Sequence, residues 1–358
     1  MRPARRRALT TAMSGVARSL VAVSIALLLS GGLIVLSGQQ IGEAYGVMWT
    51  GALGSLSGLA ETLRLATGLL FTSLGFTVAF RAGVFNIGGQ GQYAAGSFLA
   101  AWIGFGFTDV PGWLVIVLAS LAGAAGGALA ALLPAFLMVR LKVSEIITSL
   151  MSSFVIVYLL EYLVIFRFPA SSGEITATPV IAESAFLPLL MPPNKFSVAV
   201  ILAVALVAGY ALLLKRTAIG YEMEMVGSSP RFARYGGIRE GRVALVSMLL
   251  SGAIIGLGGA QQVLGADHRY FSHLAYDVAF AGVVASFIGG NRPWGLIPAC
   301  AFMGALQNGA LQLQFFTSVP RSVADIVTGL IMLLSVAAAF PGRRRLVTWW
   351  RARQRVTA

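Results

Sequence analysis

The stretch GVFNIGGQGQY, residues 83–93, places one asparagine and two glutamines among four glycines, between two strongly apolar segments. Amide side chains carry donors and acceptors that hydrocarbon cannot satisfy. Glycine-rich backbone also interrupts helices easily. This combination predicts a binding site for a polar solute. The alternative is a tight turn whose amides lie at a water interface and whose small residues allow close helix packing.

A second stretch, FIGGNRPWG at residues 287–295, repeats the Ile-Gly-Gly-amide pattern of NIGGQGQYAAG at residues 86–96. Glycine-interrupted segments that recur in two halves of a chain often mark the solute site of a transporter. We therefore expect two related halves and a pathway lined by amides. Phe85 and Tyr93 offer rings that could stack on a solute, although core packing is the preferred interpretation. The candidate pathway residues are Asn86, Gln90, Gln92, Asn291, Gln307 and Asn308.

The elements that must position these amides are membrane helices. Hydrophobic residues make up 57% of the 358 residues and charged residues only 11%, with a mean hydropathy of +0.83. This composition leaves too little polar surface for a soluble globule and predicts an all-α, polytopic membrane protein.

The sequence has few residues that could form a disulfide or bind a metal ion. The single cysteine, Cys300, lies in an apolar run, so no disulfide can form within the chain. His268 and His273 lie near Asp267, but their spacing would direct them about 140° apart on a helix. We therefore expect no metal site and no cofactor.

Span lengths follow from the bilayer, whose core of about 30 Å needs roughly 20 apolar residues per helix. The sequence predicts about ten transmembrane helices, and a count of eight also agrees with the charge pattern. The second and eighth are the shortest. The predicted spans are 19–38, 64–80, 88–108, 112–138, 145–166, 196–214, 243–264, 275–290, 294–311 and 322–340.

The basic residues predict the orientation of these helices. The formal net charge is +13, and most of the 26 Lys and Arg residues fall in alternate inter-helix segments and at the two termini. By the positive-inside rule, both termini are cytoplasmic. The charge excess therefore sets topology and does not indicate nucleic-acid binding. The basic residues left outside are Arg64, Arg167, Lys195, Arg269 and Arg321.

These spans divide the chain into three parts. Residues 1–18 form a basic cytoplasmic amino terminus, residues 19–340 a transmembrane domain, and residues 341–358 a basic cytoplasmic tail. Within the transmembrane domain, residues 215–242 form the longest cytoplasmic segment, KRTAIGYEMEMVGSSPRFARYGGIREGR.

This cytoplasmic segment carries signals for a short helix near residues 230–235. Ser229 is a suitable N-cap, Pro230 suits the first helical position, and Gly236 with Gly237 ends the turn. A basic, exposed helix of this kind offers a contact for another protein, and an ordinary solvated loop is the alternative.

Three stretches taken in order, FRAGVFNIGGQGQY, GYEMEMVGSSPRFARYGGI and ASFIGGNRPWGLIPACAFMGAL, resemble permease subunits of bacterial ABC importers for ribose, nucleosides and branched-chain amino acids. The resemblance covers about residues 55–340 and is strongest to the longer permease of nucleoside (simple sugar) importers. It departs from the family at Gln90, where a Glu is usual, and at Ser153 and Phe154, where an Asn-Tyr pair is usual. Ser229 and Phe232 likewise replace an Asn and an Ala.

The resemblance implies a ten-helix permease in the bacterial plasma membrane that conducts a nucleoside or simple sugar. It implies three partners: a second permease forming a heterodimeric pore, a cytoplasmic ATP-binding subunit, and an extracytoplasmic substrate-binding lipoprotein. Since the sequence has no phosphate-binding G-x-x-x-x-G-K-[ST] motif, the chain is not expected to be an enzyme. The resemblance assigns ATPase coupling to the 220–238 loop, in which the candidates are Gly220, Glu222, Gly227, Pro230, Arg234, Tyr235 and Gly237.

Two alternatives stay open from the sequence. The first is an ABC permease for branched-chain amino acids. The second is an ion-coupled secondary transporter, which would need a carboxylate or cation site inside the membrane. Glu145, Glu161 and Asp325 all lie near the ends of predicted helices, which disfavours ion coupling.

Overall fold

The computed structural model describes residues 28–32, 34–35, 40–170, 176–272, 275–317 and 320–339. Within these residues the chain is helical, and its extended parts pair only as isolated bridges. The helices are α1 (Ile41–Leu53), α2 (Leu56–Arg81), α3 (Gly89–Gly106), α4 (Gly112–Leu141), α5 (Glu145–Phe166), α6 (Ala199–Arg216), α7 (Ala218–Ser228), α8 (Pro230–Tyr235), α9 (Glu240–Gln262), α10 (Ala275–Ile288), α11 (Pro293–Phe316) and α12 (Arg321–Ala339).

The predicted all-α membrane class is confirmed. Each predicted span from 64–80 onward coincides with one helix. The helices long and apolar enough to cross a membrane are Leu56–Arg81, Gly112–Leu141, Glu145–Phe166, Ala199–Arg216 and the continuous Glu240–Asp267. Ten spans and cytoplasmic termini stay predictions. The basic segments 1–18 and 341–358, most of the 19–38 span and His273 lie outside the described residues.

Helix α1 was not predicted. It has 13 residues, which is below the length that a membrane span requires, so a search by span length passes over it. Its last residues lead within a short turn into α2, where Ser55 caps the helix by accepting a hydrogen bond from the Gly58 N–H at 2.9 Å.

The chain divides into two compact units. The larger contains residues 49–309 and holds the break at residues 83–93 together with the 215–242 segment. The smaller contains residues up to Met48 and from Ala310 onward, and it buries Ile34, Leu313 and Val327.

At the centre of the larger unit, α3, α4 and α9 pack backbone against backbone. A Cβ at Gly127 of α4 would collide with the Gly252 carbonyl of α9, and a Cβ at Gly96 of α3 with the Gly256 carbonyl. Small residues let membrane helices approach this closely and so maximise van der Waals contact. This glycine-lined core holds the amino-terminal part of α3 in place.

Helix α9 runs antiparallel to α2, because Gly75 packs against Ser251 whereas Phe71, one turn earlier, packs against Gly258. The larger unit therefore has two distinct ends. The end at which α2 finishes and α9 begins is called the Arg81 end, and the opposite end is called the Arg64 end.

Residues 176–198 run across the Arg64 end as an irregular segment with one short 3₁₀ turn and a tight turn near residues 190–195. The Leu187 N–H donates to the Leu264 carbonyl and the Ile181 N–H to the His268 carbonyl, both at 2.9 Å. These bonds fasten the segment to the π-helical turn Val263–Asp267 and to His268, which follow α9.

Candidate functional site

The GVFNIGGQGQY stretch is a broken helix junction. Helix α2 ends at Arg81, and α3 begins only at Gly89. Gly83 has a φ of 79°, a conformation that a side chain would strain. Asn86, midway through the non-helical segment, bonds Ser251, about 16 Å along α9 from its first residue at 1.5 Å per residue. The junction thus lies deep inside the unit.

Asn86 and Gln92 form a reciprocal amide pair at this junction. Asn86 Nδ2 donates to Gln92 Oε1 at 2.9 Å and to Ser251 Oγ at 2.8 Å. Asn86 Oδ1 accepts from Gln92 Nε2 and from the Gly88 N–H, both at 3.0 Å. Both side chains are 1% exposed. The pair therefore satisfies itself and leaves Asn86 little capacity for a passing solute.

Two serines of α5 satisfy the backbone of the junction. Ser149 Oγ accepts from the Ile87 N–H at 3.3 Å. Ser153 Oγ accepts from the Gly91 N–H at 3.2 Å and donates to the Gly88 carbonyl at 2.9 Å. Sequence reasoning noted Ser153 only as a departure from the family and missed Ser149. No local signal links them to the junction, because they lie about 60 residues away in sequence.

Gln90 differs from the other amides. It is 1% exposed, and neither its Nε2 nor its Oε1 has a hydrogen-bond partner among the described residues. An unsatisfied buried amide costs about 1–3 kcal/mol and calls for an explanation. Gln90 occupies the position at which the resembled family carries Glu, so its carboxamide keeps the shape of that side chain without the charge.

Asn308 forms hydrogen bonds that connect two helices. It is fully buried, and its Nδ2 donates to the Gly58 carbonyl at 2.9 Å and to Thr62 Oγ1 at 3.1 Å. It thereby joins α11 to the first turn of α2.

The second Ile-Gly-Gly-amide stretch turns sharply at Asn291, which has a φ of 51°. Its carbonyl accepts from Arg81 Nε at 2.9 Å, while its buried Oδ1 lacks a partner among the described residues. Gln307 is half-buried. None of the six predicted pathway amides lines the cavities described below, so their role in a pathway stays a prediction.

Phe85 packs in a group of four phenylalanine rings. Its ring centroid lies 5.1 Å from that of Phe76, 6.0 Å from Phe80 and 6.4 Å from Phe287. These distances are typical of core aromatic packing. Tyr93, by contrast, lines a cavity at the Arg64 end.

At the Arg81 end, the 215–242 segment folds into α7 and α8. Ser229 Oγ accepts from the Phe232 N–H at 3.5 Å, Pro230 is the first residue of α8, and Gly237 with a φ of 79° follows its end. The short helix predicted here is confirmed as α8.

The α7–α8 pair presents aromatic rings at its surface. Tyr235 is 92% exposed and Phe232 63%. Tyr221, Glu222 and Phe232 line a cavity of about 150 Å³ between the two helices. Exposed aromatic side chains around a concave surface are typical of a protein contact.

Arg234 and Glu240 form a two-pronged ion pair beside this surface. Nε and Nη2 of Arg234 lie 3.1 and 3.0 Å from the two Glu240 oxygens. The hydrogen bond and charge of Glu240 raise the pKa of Arg234 above its ordinary value, so the side chain stays charged. The pair fixes α8 relative to the start of α9.

Gly227, near the end of α7, packs directly on the turn that precedes the amide junction. A Cβ at Gly227 would collide with the Arg81 carbonyl. An ion pair between Arg81 Nη1 and Glu224 Oε1, 3.1 Å apart, lies beside this contact. A cavity of about 460 Å³ opens next to it, lined among others by Val84, Met138, Lys142, Glu145, Gly227 and Pro230.

A mixed-charge group at the Arg64 end was not among the sequence candidates. Arg64 forms a two-pronged ion pair with Glu61, at 2.8 and 2.6 Å. Gln262 Nε2 donates to Asp267 Oδ2 at 3.1 Å, and Asp267 ends a π-helical turn after α9. Such turns are frequent at functional sites.

Two narrow cavities adjoin these side chains, and Gln262 lines both. The first also contacts Arg64, Gln261 and Lys195, and the second contacts Tyr93, Ser97, Asp267 and Arg269. The set is called the Arg64 cluster: Glu61, Arg64, Lys195, Gln262, Asp267 and Arg269. One feature of the sequence pointed to this cluster: Arg64, Lys195 and Arg269 are among the few basic residues that fall outside the predicted cytoplasmic segments.

Comparison with known proteins completes the description. The family model described as "Branched-chain amino acid transport system / permease component" matches residues 58–336. The chain is 29% identical to the guanosine ABC transporter permease protein NupP of Bacillus subtilis, covering 90% of this chain and 92% of the relative. It is also 29% identical to the nucleoside permease NupB of Lactococcus lactis (87% and 88% covered) and to the glucose permease TsgB13 of Haloferax volcanii (85% and 82%). No solved structure matches.

Proposed function

The chain belongs to the family of branched-chain amino acid transport permease components, and we propose that it conducts a nucleoside or a simple sugar. It is a permease subunit of an ATP-binding-cassette importer, lies in the plasma membrane and leaves ATP hydrolysis to a separate subunit. The observation that carries the solute class is the near full-length similarity to guanosine, nucleoside and glucose permeases. Guanosine and glucose are both neutral solutes that carry several hydroxyl groups.

The importer family implies an ATPase and a substrate-binding protein as partners. In our proposal, the Arg81 end faces the cytoplasm, and the exposed α7–α8 pair contacts the ATPase. A second, related permease completes the pore as a heterodimer, and the binding protein, an extracytoplasmic lipoprotein, delivers solute to the Arg64 end. The positive-inside rule supports this orientation, because basic residues of the 215–242 segment lie at the Arg81 end.

The contact at Gly227 supports a route by which ATPase motion reaches the membrane. When α7 moves, its backbone presses on the Gly83 turn, and the Arg81–Glu224 ion pair moves with it. The turn leads into the broken junction, which lacks helical hydrogen bonds between α2 and α3 and so can bend. We propose that this movement, driven by ATP hydrolysis on the ATPase, opens the pathway alternately to the two membrane faces.

Uptake of labelled solutes tests the solute class. Cells that carry the whole importer should accumulate guanosine or glucose, and deletion of this chain alone should abolish that accumulation. Accumulation of leucine in place of both would favour the branched-chain amino acid alternative, which the description of the family supports. Uptake that persists without the ATPase and stops with an uncoupler would instead contradict the ATP-driven mechanism.

Charge reversal tests the docking surface. Arg234→Glu, or deletion of residues 229–235, should abolish co-purification of the ATPase and leave membrane insertion intact. The double exchange Arg234→Glu with Glu240→Arg restores the ion pair between the two positions but places a negative charge at position 234. If the ATPase contacts Arg234 directly, the doubly exchanged protein should also fail to co-purify with the ATPase. Arg216→Glu, at the end of α6, is the matched control. Normal ATPase yield after the deletion would overturn the assignment.

A further inference from the structure

We propose that the Arg64 cluster is a solute subsite that binds the adjacent hydroxyl groups of a ribosyl or hexosyl moiety. The inference rests on the proposed function and deepens it, because it names the part of the solute that is recognised and the side chains that recognise it. Asp267 and Gln262 contact the hydroxyl groups, with Tyr93 beside them.

The position of Gln262 and Asp267 brings several polar side chains together. Gln262 lines both cavities, so the amide and its Asp267 partner stand at the wall between them. One cavity leads to Arg64 and Lys195, and the other to Tyr93. A solute group placed at this wall would therefore reach the carboxylate, the amide and the phenol together.

Several side chains of the cluster and its cavities have unused hydrogen-bonding capacity. Asp267 Oδ2 accepts from Gln262, whereas no described residue donates to Oδ1. The Tyr93 and Ser97 hydroxyls, which line the same cavity, also have no hydrogen-bond partner among the described residues. The Arg269 guanidinium carbon lies 5.7 Å from the centroid of the Phe271 ring. Arg269 forms no ion pair with any of the described residues. Hydrogen-bond donors and acceptors without a protein partner therefore line the same cavity.

The side chains of the cluster suit a neutral solute with adjacent hydroxyl groups. A carboxylate accepts hydrogen bonds from two neighbouring hydroxyl groups at once, as acidic residues do with the ribose of dinucleotides. The cluster carries three cations against two anions, Glu61 and Asp267, so its charges nearly balance. A nearly balanced site favours a neutral polyol over a charged solute. The Tyr93 ring offers an apolar surface for the face of a sugar.

Both cavities are small in this structure. The two cavities have volumes of about 20 and 10 Å³, enough for roughly one water molecule each. The structure therefore holds the subsite closed. A solute enters when the Arg64 end opens, as alternating access requires. Residues 176–198 lie across this end and must move with it.

The experiment compares solutes with and without adjacent hydroxyl groups in the complete importer. Maximal uptake rates are measured for guanosine against 2′,3′-dideoxyguanosine, and for glucose against 2,3-dideoxyglucose, because both analogues lack hydroxyl groups on neighbouring carbons. The binding protein is saturated, so that its affinity does not set the rate. Asp267→Asn should lower the rate of the transported parent solute at least about tenfold, since the site loses an acceptor. The rate of the deoxy analogue should be low in the natural protein and should change less than twofold in the variant.

Asp109→Asn, an exposed aspartate at the same end, is the matched control and should leave all rates unchanged. If Asp267→Asn fails to reach the membrane in normal amount, Gln262→Leu carries the same expectation. Equal loss for parent and analogue, or no loss for either, would overturn the subsite while leaving the proposed function standing. If the natural protein supports uptake of neither guanosine nor glucose, the proposed function fails and the subsite with it.

Discussion

The amide junction at residues 83–93 and the Arg64 cluster are both polar regions within an apolar molecule, yet they differ in how their hydrogen bonds are distributed. At the junction, Asn86 makes four hydrogen bonds to three residues, and the non-helical backbone groups bond serines of a neighbouring helix. In the cluster, Asp267 has one partner, and neighbouring hydroxyls have none among the described residues.

This difference teaches that residue type alone does not identify a binding site. Amides at a helix break can be required simply because the broken backbone needs partners, since each unpaired group in the membrane costs several kcal/mol. Side chains that face a cavity with unused capacity are the better candidates for solute contact. Gln90 is the exception at the junction, because its amide is both buried and unpaired.

The largest expected effect comes from Asn86→Leu. This change leaves Gln92, Ser251 and the Gly88 N–H without their partner, and each unsatisfied buried group costs about 1–3 kcal/mol. The free energy of unfolding should fall by more than about 3 kcal/mol. Thermal unfolding of the purified protein in detergent measures it, and an unchanged Tm would show that the pair is not structural.

A smaller effect is expected from Ser153→Ala. The change removes one donor to the Gly88 carbonyl and one acceptor for the Gly91 N–H. The free energy of unfolding should fall by about 1–3 kcal/mol. Ser152→Ala is the control, because this neighbour on α5 takes no part in the hydrogen bonds of the junction described above. A larger loss in the control would contradict the assignment of Ser153.

In the Arg64 cluster, Glu61→Gln should cost only about 1 kcal/mol or less, because the ion pair with Arg64 is partly solvated. The loss should shrink further at high salt, since screening weakens the charge interaction that the change removes. Tm measured at low and high salt checks this. A salt-independent loss above that of Ser153→Ala would place the pair among the structural contacts.

The smallest change in stability is expected from Gln90→Leu. Replacing an unsatisfied buried amide by an apolar group of similar volume removes no hydrogen bond, so the free energy of unfolding should stay level or rise slightly. If Gln90 contacts solute, the uptake rate should fall although Tm does not. A strong loss of Tm would show that Gln90 has structural contacts comparable with those of Asn86.

Much of the fold could be predicted from sequence. Apolar runs of the right length fixed nearly every helix, and local cap and glycine signals fixed α8 to the residue. Helix α1 was missed because it is too short for the length criterion. The candidate site was harder to predict. Ser149 and Ser153 have no sequence feature that ties them to the junction, and Gln262 and Asp267 became candidates only through their shared cavity wall.

By itself, the sequence determined the membrane environment, the helix positions, the break in the chain at the glycines and the family, because these follow from composition, local periodicity and short motifs. Which amides have hydrogen-bond partners and which lack them depends on how the helices pack. Hydrogen-bond partners such as Asn86 and Ser251 are separated by more than a hundred residues in sequence, and their meeting depends on how close the glycine-lined helices α3, α4 and α9 approach.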